Sequence, residues 1–537
     1  MTWPELSEPR ERLLGRVLRR RAERAPDAPF LVSESGSLSY GRVNQLANAH
    51  AAGFAELGVG RGDTVALLME SSPECVVCAL ALNKLGAIWV PTNVDYKGAW
   101  LREALEGSRA RLLVADAGLL PRVAELAAGL PFGHVVVRGE PAVELPGAAL
   151  HPLAPLAERE AAEPDDARLH YSDTAAVLWT SGTTGRSKGV MQSHNVWLKA
   201  AVDGAVNAGM REDDVIYSCL PTYQSAAWVA NVFRALVGGI PCALDARFSA
   251  SEFWDRCRRY DATMIFTLGA MHMFLWQAPE REDDSDNPVR VASLIPLPAE
   301  LEEPFKKRFG IATIFQGYGQ SEVMSLMART PGASWKANSL GEPQSGIEVD
   351  VLDDEDIPVA DGEVGELCVR PVEPYTLFNG YFGDPEATLR AFRNLWYHTG
   401  DLVRRDEDGE FFFVDRKADY IRYKGRNLSS FAVEAAVAAH PAVAQVAAHG
   451  VTSRELASEA ELKVVVVLRP GEALEAGELA RFVNDHAPYF FVPRYVEFVE
   501  GFPKTEATNR IKKVELKKDP INQNTWDREA AGFVVSR

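Results

Sequence analysis

Cysteine is scarce: six residues in 537, at Cys75, Cys78, Cys219, Cys242, Cys257 and Cys368. Cys75 and Cys78 form one C-x-x-C, but no second ligand pair follows at zinc-motif spacing. A disulfide scaffold and a zinc ribbon are thereby excluded, and structural thiols in a reducing cytosol are expected. Net positive charge is also missing. Lys and Arg number 57 against 75 Asp and Glu, a formal charge of −18, so nothing favours charge-driven binding to nucleic acid or an anionic membrane. No apolar run approaches the roughly 20 residues that a membrane-spanning helix needs. The first residues, Met-Thr-Trp-Pro-Glu-Leu-Ser-Glu, are acidic and lack the apolar core of a secretory signal, so a cytoplasmic location is expected. Internal repeats and long low-complexity tracts are absent. The one basic stretch, from Arg10 to Arg24 around Leu13, Leu14, Val17 and Leu18, reads as a surface helix with solvated arginines.

With 47% hydrophobic and 25% charged residues, the chain has the composition of a large-cored globular protein of about three to four domain-sized units. Short β-branched runs (63–68, 110–115, 134–137) alternate with Ala-rich stretches, the pattern of layered α/β architecture. Residues 72–86 predict a helix opened by Ser72-Pro73 and closed by Gly86, with a strand at 89–91. Gly and Asp turns across 345–369 predict a small β-region, and the acidic stretches 280–286 and 353–356 predict solvated loops. After Phe411-Phe-Phe-Val-Asp-Arg the pattern restarts, dividing residues 1–416 from a unit at 417–537. That unit predicts helices at 430–439 and 475–486 and a strand at 461–468. The expected fold class is α/β, a large N-terminal domain of α/β layers plus a β-region followed by a small α+β C-terminal domain.

Chemistry concentrates first in Thr180-Ser181-Gly182-Thr183-Thr184-Gly185-Arg186-Ser187-Lys188-Gly189, directly behind the apolar run 175–179. Glycines let backbone approach a polyphosphate, hydroxyls donate to it, and two cations strengthen those bonds. The spacing is not that of the Walker loop. Three further elements follow in order: Gly317-Tyr318-Gly319-Gln320-Ser321-Glu322, Tyr397-His398-Thr399-Gly400-Asp401, and the run from Asp415-Arg416-Lys417 through Gly425 to Asn427.

Together these resemble the acyl-adenylate-forming superfamily of acyl-CoA synthetases, peptide-synthetase adenylation domains and luciferases. The segments 427–434 and 525–529 look closest to freestanding fatty-acid- or carnitine-type acid–CoA ligases. The resemblance implies ATP, Mg²⁺ and CoA as cofactors and a mobile C-terminal lid. It implies phosphate contacts from Thr180, Ser181, Gly182, Thr183, Thr184, Gly185 and Lys188, with Thr180 and Glu322 sharing the metal. In the nucleotide-binding element of Gly317, Tyr318 and Gly319 the tyrosine ring would pack on adenine, and Ser321 would meet the α-phosphate. Asp401 and Arg416 would meet ribose, and Gly425 would border the pantetheine arm of CoA. Gly341 fits a weaker, structural motif of the family.

The sequence departs from the family pattern at four places. Arg510 stands where the family's adenylating lysine falls, with Lys512 a second candidate for that charge; the exchange replaces a compact ammonium by a planar fork. Gln224 replaces a histidine between acyl pocket and thiol tunnel and cannot titrate near neutrality. Ala418 replaces a hinge Asp or Lys, and Leu294-Ile295 replace a smaller pair beside the acyl group, where Trp228 and Phe315 are also pocket candidates. Lys188, Gln224 and Arg510 are the expected catalytic side chains. The implied activity joins a carboxylic acid to AMP and then to CoA. Alternatives are transfer of the acyl-AMP to a carrier protein or partner enzyme, activation of a non-carboxylate group, or a nucleotide-binding scaffold without turnover. No nucleic acid or membrane span is expected, and a homodimer stays open.

Overall fold

The computed structural model describes residues 6–126, 130, 132–180, 188–330, 332–417, 419, 421–423, 426–452, 460–504 and 511–535. Compactness divides the chain into two units: one comprises residues up to 180, 187–348 and 370–390, and the other is built mainly of 349–369 and 391–537. The division read from the sequence, between 416 and 417, falls inside the second unit.

The first unit holds two seven-stranded sheets of the same design. One runs in the order Ala149–Pro152, His134–Arg138, Leu112–Asp116, Thr64–Leu68, Ile88–Pro91, Thr174–Thr180, Lys188–Ser193. Its strands are parallel except for the final pair. The other runs Thr313–Phe315, Val291–Ile295, Met264–Leu268, Ile216–Ser218, Cys242–Leu244, Pro29–Ser33, Gly36–Ser39, again parallel with one antiparallel edge pair. Period-two alternation sorts each strand between two cores. Leu67 and Val114 of the first sheet and Ile216, Met264 and Val291 of the second face a shared helical layer. Leu68, Leu113 and Val135 face one outer layer of the unit, and Ile265, Ala292 and Leu294 another. The stacking is therefore helix, sheet, helix, sheet, helix, an α/β fold.

Local signals account for the elements. Pro73–Lys84 is the helix predicted over 72–86: Ser72 caps it by accepting from Cys75 N (3.2 Å), and Gly86 leaves it at φ +71°. All six cysteines are buried thiols. Leu14–Arg24 is helical, but its arginines are less solvated than the sequence predicts. Arg12, ahead of it, reaches Asn195 (2.9 Å) and Glu373 (2.5 Å), and Arg16 pairs with Asp166 (2.9 Å). The acidic loops differ similarly, since Asp284 is held by Arg308 (2.7 Å) and Asp356 by Arg393 (2.6 Å). Two pocket candidates are core side chains instead. Trp228 packs 4.3 Å from Trp89 and donates to Thr222 O (2.6 Å), and Leu294 is fully buried. Alternation explains Leu294: it shares its face with Ala292, while Ser293 and Ile295 look the other way.

The second unit contains an antiparallel sheet with Val364–Pro371, Trp396–Arg405 and Phe411–Arg416, and a four-stranded sheet in the order Val443–Thr452, Ala460–Leu468, Tyr495–Phe498, Trp526–Asp527. Helices Ser430–Ala438 and Ala476–His486 close a core of Val433, Val437, Leu462, Val464, Leu479 and Val483, matching the predicted helix, strand and helix within one residue at each end.

Candidate active site

Thr180 ends the next-to-last strand of its sheet and Lys188 begins that strand's antiparallel neighbour, the last of the seven; the two residues are paired in register. The phosphate-loop residues between them, Ser181, Gly182, Thr183, Thr184 and Gly185, lie outside the described residues. Their flanks are closed by the pairing and by Thr180 Oγ1 donating to Lys188 O (3.4 Å). A second segment, Asn379–Phe382, lines the other side of the exit strand. Met191 N donates to Gly380 O (3.0 Å), Asn379 N to Met191 O (2.8 Å) and Phe382 N to Gly189 O (2.7 Å). Gly189 is needed for this approach, because a Cβ there would stand 2.9 Å from Val177 Cγ1 and 3.2 Å from Phe382 Cβ.

Tyr381 of that segment joins two residues the sequence names separately. Its hydroxyl donates to Glu322 Oε1 (2.9 Å), and its ring centroid lies 4.6 Å from Lys188 Nζ. Glu322 is also fixed through its backbone, where Phe378 N donates to Glu322 O (2.9 Å), and neighbouring Ser321 O accepts from buried Gln192. The two glycines before it are demanded by close backbone. A Cβ on Gly317 would stand 2.9 Å from Met327 O, and one on Gly319 only 2.4 Å from Met324 O. Tyr318 takes a hydrogen bond on its hydroxyl from Gln320 (3.1 Å). Thr180 and Glu322 present a hydroxyl and a carboxylate, the hard oxygen donors that suit Mg²⁺, and both are only half-buried, so the residues fit such an ion. Gln224 sits half-buried in a turn (Gln224 N to Pro221 O, 2.9 Å) leading into the π-helical turn Ala227–Val232.

In the second unit, Asp401 and Arg416 face each other across adjacent strands, with Arg416 Nε 3.1 Å from Asp401 Oδ1. Thr399 Oγ1 accepts from Asp401 N (3.1 Å) and donates to Leu367 O (2.7 Å), fixing the strand irregularity that presents the carboxylate. Behind it lies a network the sequence does not disclose. Glu366 accepts from Gly400 N (3.0 Å) and Lys417 Nζ (2.9 Å) and lies 3.0 Å from His398 Nδ1. Burial pushes the Glu366 carboxyl up, but hydrogen bonds from His398 and Lys417 outweigh it and bring the pKa down to about 2. Gly425 and Arg510 lie outside the described residues. Arg510 belongs to a segment whose ends are paired, Lys504 with Ile511, and Lys512 N donates to Pro503 O (2.8 Å).

Sequence reasoning missed Tyr381, Gln192 and Glu366. Phe378-Asn379-Gly380-Tyr381 carries a weak signal, a Gly between aromatics, here at φ +111°; Gln192 and Glu366 look like ordinary strand residues.

The AMP-binding enzyme family model matches residues 18–382, and the model for the C-terminal domain of AMP-binding enzymes matches 432–508. A crotonobetaine/carnitine–CoA ligase of Salmonella paratyphi B is 31% identical over 487 residues, 88% of this chain and 92% of the relative. Among solved structures, O-succinylbenzoate coenzyme A synthetase from Bacillus subtilis, in complex with ATP and magnesium ion, aligns with a TM-score of 0.80 at 25% identity. That alignment covers 93% of this chain and 99% of the other. A benzoate CoA ligase from Burkholderia xenovorans aligns with a TM-score of 0.81 at 24% identity, over 94% and 99% of the two chains.

Proposed function

The chain belongs to the AMP-binding enzyme family, and on that premise we propose that it is an ATP-dependent acid–CoA ligase. A substrate carboxylate oxygen attacks the α-phosphorus of ATP, forming the acyl–O–P bond as the bond to pyrophosphate breaks. The thiolate of CoA then attacks the acyl carbon, and AMP leaves with its oxygen.

The arrangement around Tyr381 supports this reading most directly. Two anions must meet in the first step, and Lys188 supplies positive charge beside the loop that would carry the phosphates. Tyr381 orients the Glu322 carboxylate by donating to it; Glu322 with Thr180 would hold Mg²⁺, which when bound would neutralise phosphate oxygens. Tyr318 offers an aromatic face to adenine. Asp401 accepts from the ribose hydroxyls, its carboxylate oriented by Arg416. Arg510 or Lys512 brings the second cation of adenylation, and we place the hinge of the moving lid at 416–417. Gln224 orders the passage for the thiol through hydrogen bonding alone. Among the described residues no helix is long and apolar enough to cross a membrane.

Gln224 also favours a second reading, in which the acyl-AMP passes to a carrier-protein thiol. Incubation of the purified protein with ATP, Mg²⁺ and a panel of carboxylic acids, with and without CoA, tests both. Mass spectrometry is expected to find acyl-CoA and AMP for one class of acid. Acyl-AMP that accumulates regardless of CoA supports the carrier reading, and no ATP turnover with any acid refutes both.

A further inference from the structure

One buried carboxylate is tied to both halves of the nucleotide pair without belonging to it. Glu366 is 5% exposed at its side chain, and each of its oxygens is committed. Oε1 accepts from Gly400 N, the residue before Asp401; Oε2 accepts from Lys417 Nζ, the residue after Arg416. Lys417 N closes the ring by donating to Gly400 O (2.8 Å). At this end of the backbone ladder that pairs Asp401 with Arg416, a single side chain thus bridges the residues next to both.

Glu366, Cys368 and His398 place oxygen, sulfur and nitrogen atoms within 4.8 Å of one another, as a metal site does. Two cations already occupy that position. Lys417 Nζ is 2.9 Å from Glu366 Oε2, and Arg393 Nη2 is 3.3 Å from His398 Nδ1. A further cation would meet repulsion rather than a free carboxylate. The cluster is an electrostatic brace, and the burial of Glu366 and His398 strengthens its bonds, least at Lys417, which is partly exposed.

We propose that Glu366 is a positioning residue for nucleotide binding: through Gly400 and Lys417 it holds Asp401 and Arg416 at the separation that the ribose hydroxyls require. The proposal rests on the reading of Asp401 and Arg416 as ribose contacts. It assigns Glu366 an effect on the sugar and none on the phosphates or the base.

Calorimetric binding of ATP and of 2′,3′-dideoxy-ATP to the full chain, with Mg²⁺ and without acid, separates these effects. The wild type is expected to prefer ATP, because only ATP offers the hydroxyls. Glu366→Ala is expected to weaken ATP about tenfold, the scale of one charge-assisted hydrogen bond, and dideoxy-ATP by less than about twofold, so the preference collapses. Glu366→Gln, whose amide oxygen still accepts from Gly400, keeps part of it. Lys417→Met removes only one arm of the brace at a partly exposed position and is expected to cost about threefold for ATP alone, which serves if Glu366→Ala does not fold. Equal weakening of both nucleotides, or of neither, overturns the proposal. Asp401→Ala distinguishes the failures: if it abolishes the preference while Glu366→Ala does not, only the role of Glu366 falls. If the wild type itself shows no preference, the ribose reading falls and the proposal with it.

Discussion

Replacing Tyr381 by Phe deletes one oxygen and leaves the ring beside Lys188 in place. The lost bond, 2.9 Å from hydroxyl to Glu322 Oε1, is charge-assisted and comes from a residue only 6% exposed. Such bonds contribute about 1.5–3 kcal/mol. Glu322 is half-buried, so water replaces part of the interaction, and about 1–1.5 kcal/mol is the working figure. That corresponds to roughly five- to tenfold in an equilibrium constant. If the hydroxyl orients Glu322 for Mg²⁺, the cost falls on metal affinity. The free-Mg²⁺ concentration for half-maximal pyrophosphate release, at saturating ATP and acid, should rise about five- to tenfold. The rate at saturating Mg²⁺ should stay near that of the wild type. Glu322→Gln should raise the same midpoint further, because it removes the ligand charge itself. A Tyr381→Phe enzyme with an unchanged midpoint, beside a Glu322→Gln enzyme with a raised one, refutes the reasoning: Tyr381 would then be a packing residue only.

Two further outcomes concern stability. Gly341→Ala should lower stability by about 3 kcal/mol or more, seen as a large drop in the urea midpoint: the residue sits at φ +90°, and its Cβ would stand 2.1 Å from Ala328 O, a backbone atom. A midpoint near that of the wild type would show that this turn moves freely. Burial lowers the pKa of His194 from 6.5 to about 4, so the unfolded chain binds its proton first. The resulting stability is complete above pH 6.5 and lost as pH falls toward 4, a total of about 3 kcal/mol. His194→Asn should flatten the urea midpoint's dependence on pH across that window, and an unchanged slope would refute the assignment. His449 in the second unit, also lowered to about 4 by burial, should give a separate component of the same sign.

Much of this protein is written locally. Near-continuous apolar runs along 64–68, 112–116 and 134–138 specify strands buried on both faces, because successive side chains point to opposite sides of the sheet and both sides are covered. Ser72-Pro73 and Gly86 delimit a helix because capping and left-handed backbone are properties of single residues. The glycine- and hydroxyl-rich loop, Tyr318 with Glu322, and Asp401 are likewise legible, since each motif is a short run of consecutive residues. Other features come from contacts that no local rule specifies. Leu294 reads as a pocket residue until strand register shows which face it occupies. Tyr381 meets Glu322 across 59 residues, and Glu366 meets Lys417 across 51. Such partners are selected by how strands and segments pack, and they lie in stretches whose own composition is ordinary. The sequence by itself determined the chemistry on offer: hydroxyls and cations in a glycine-rich loop, the aromatic ring of Tyr318, and the carboxylates of Glu322 and Asp401. Tertiary structure alone decided which side chains hold those groups in place, because orientation depends on long-range packing rather than on neighbours in the chain.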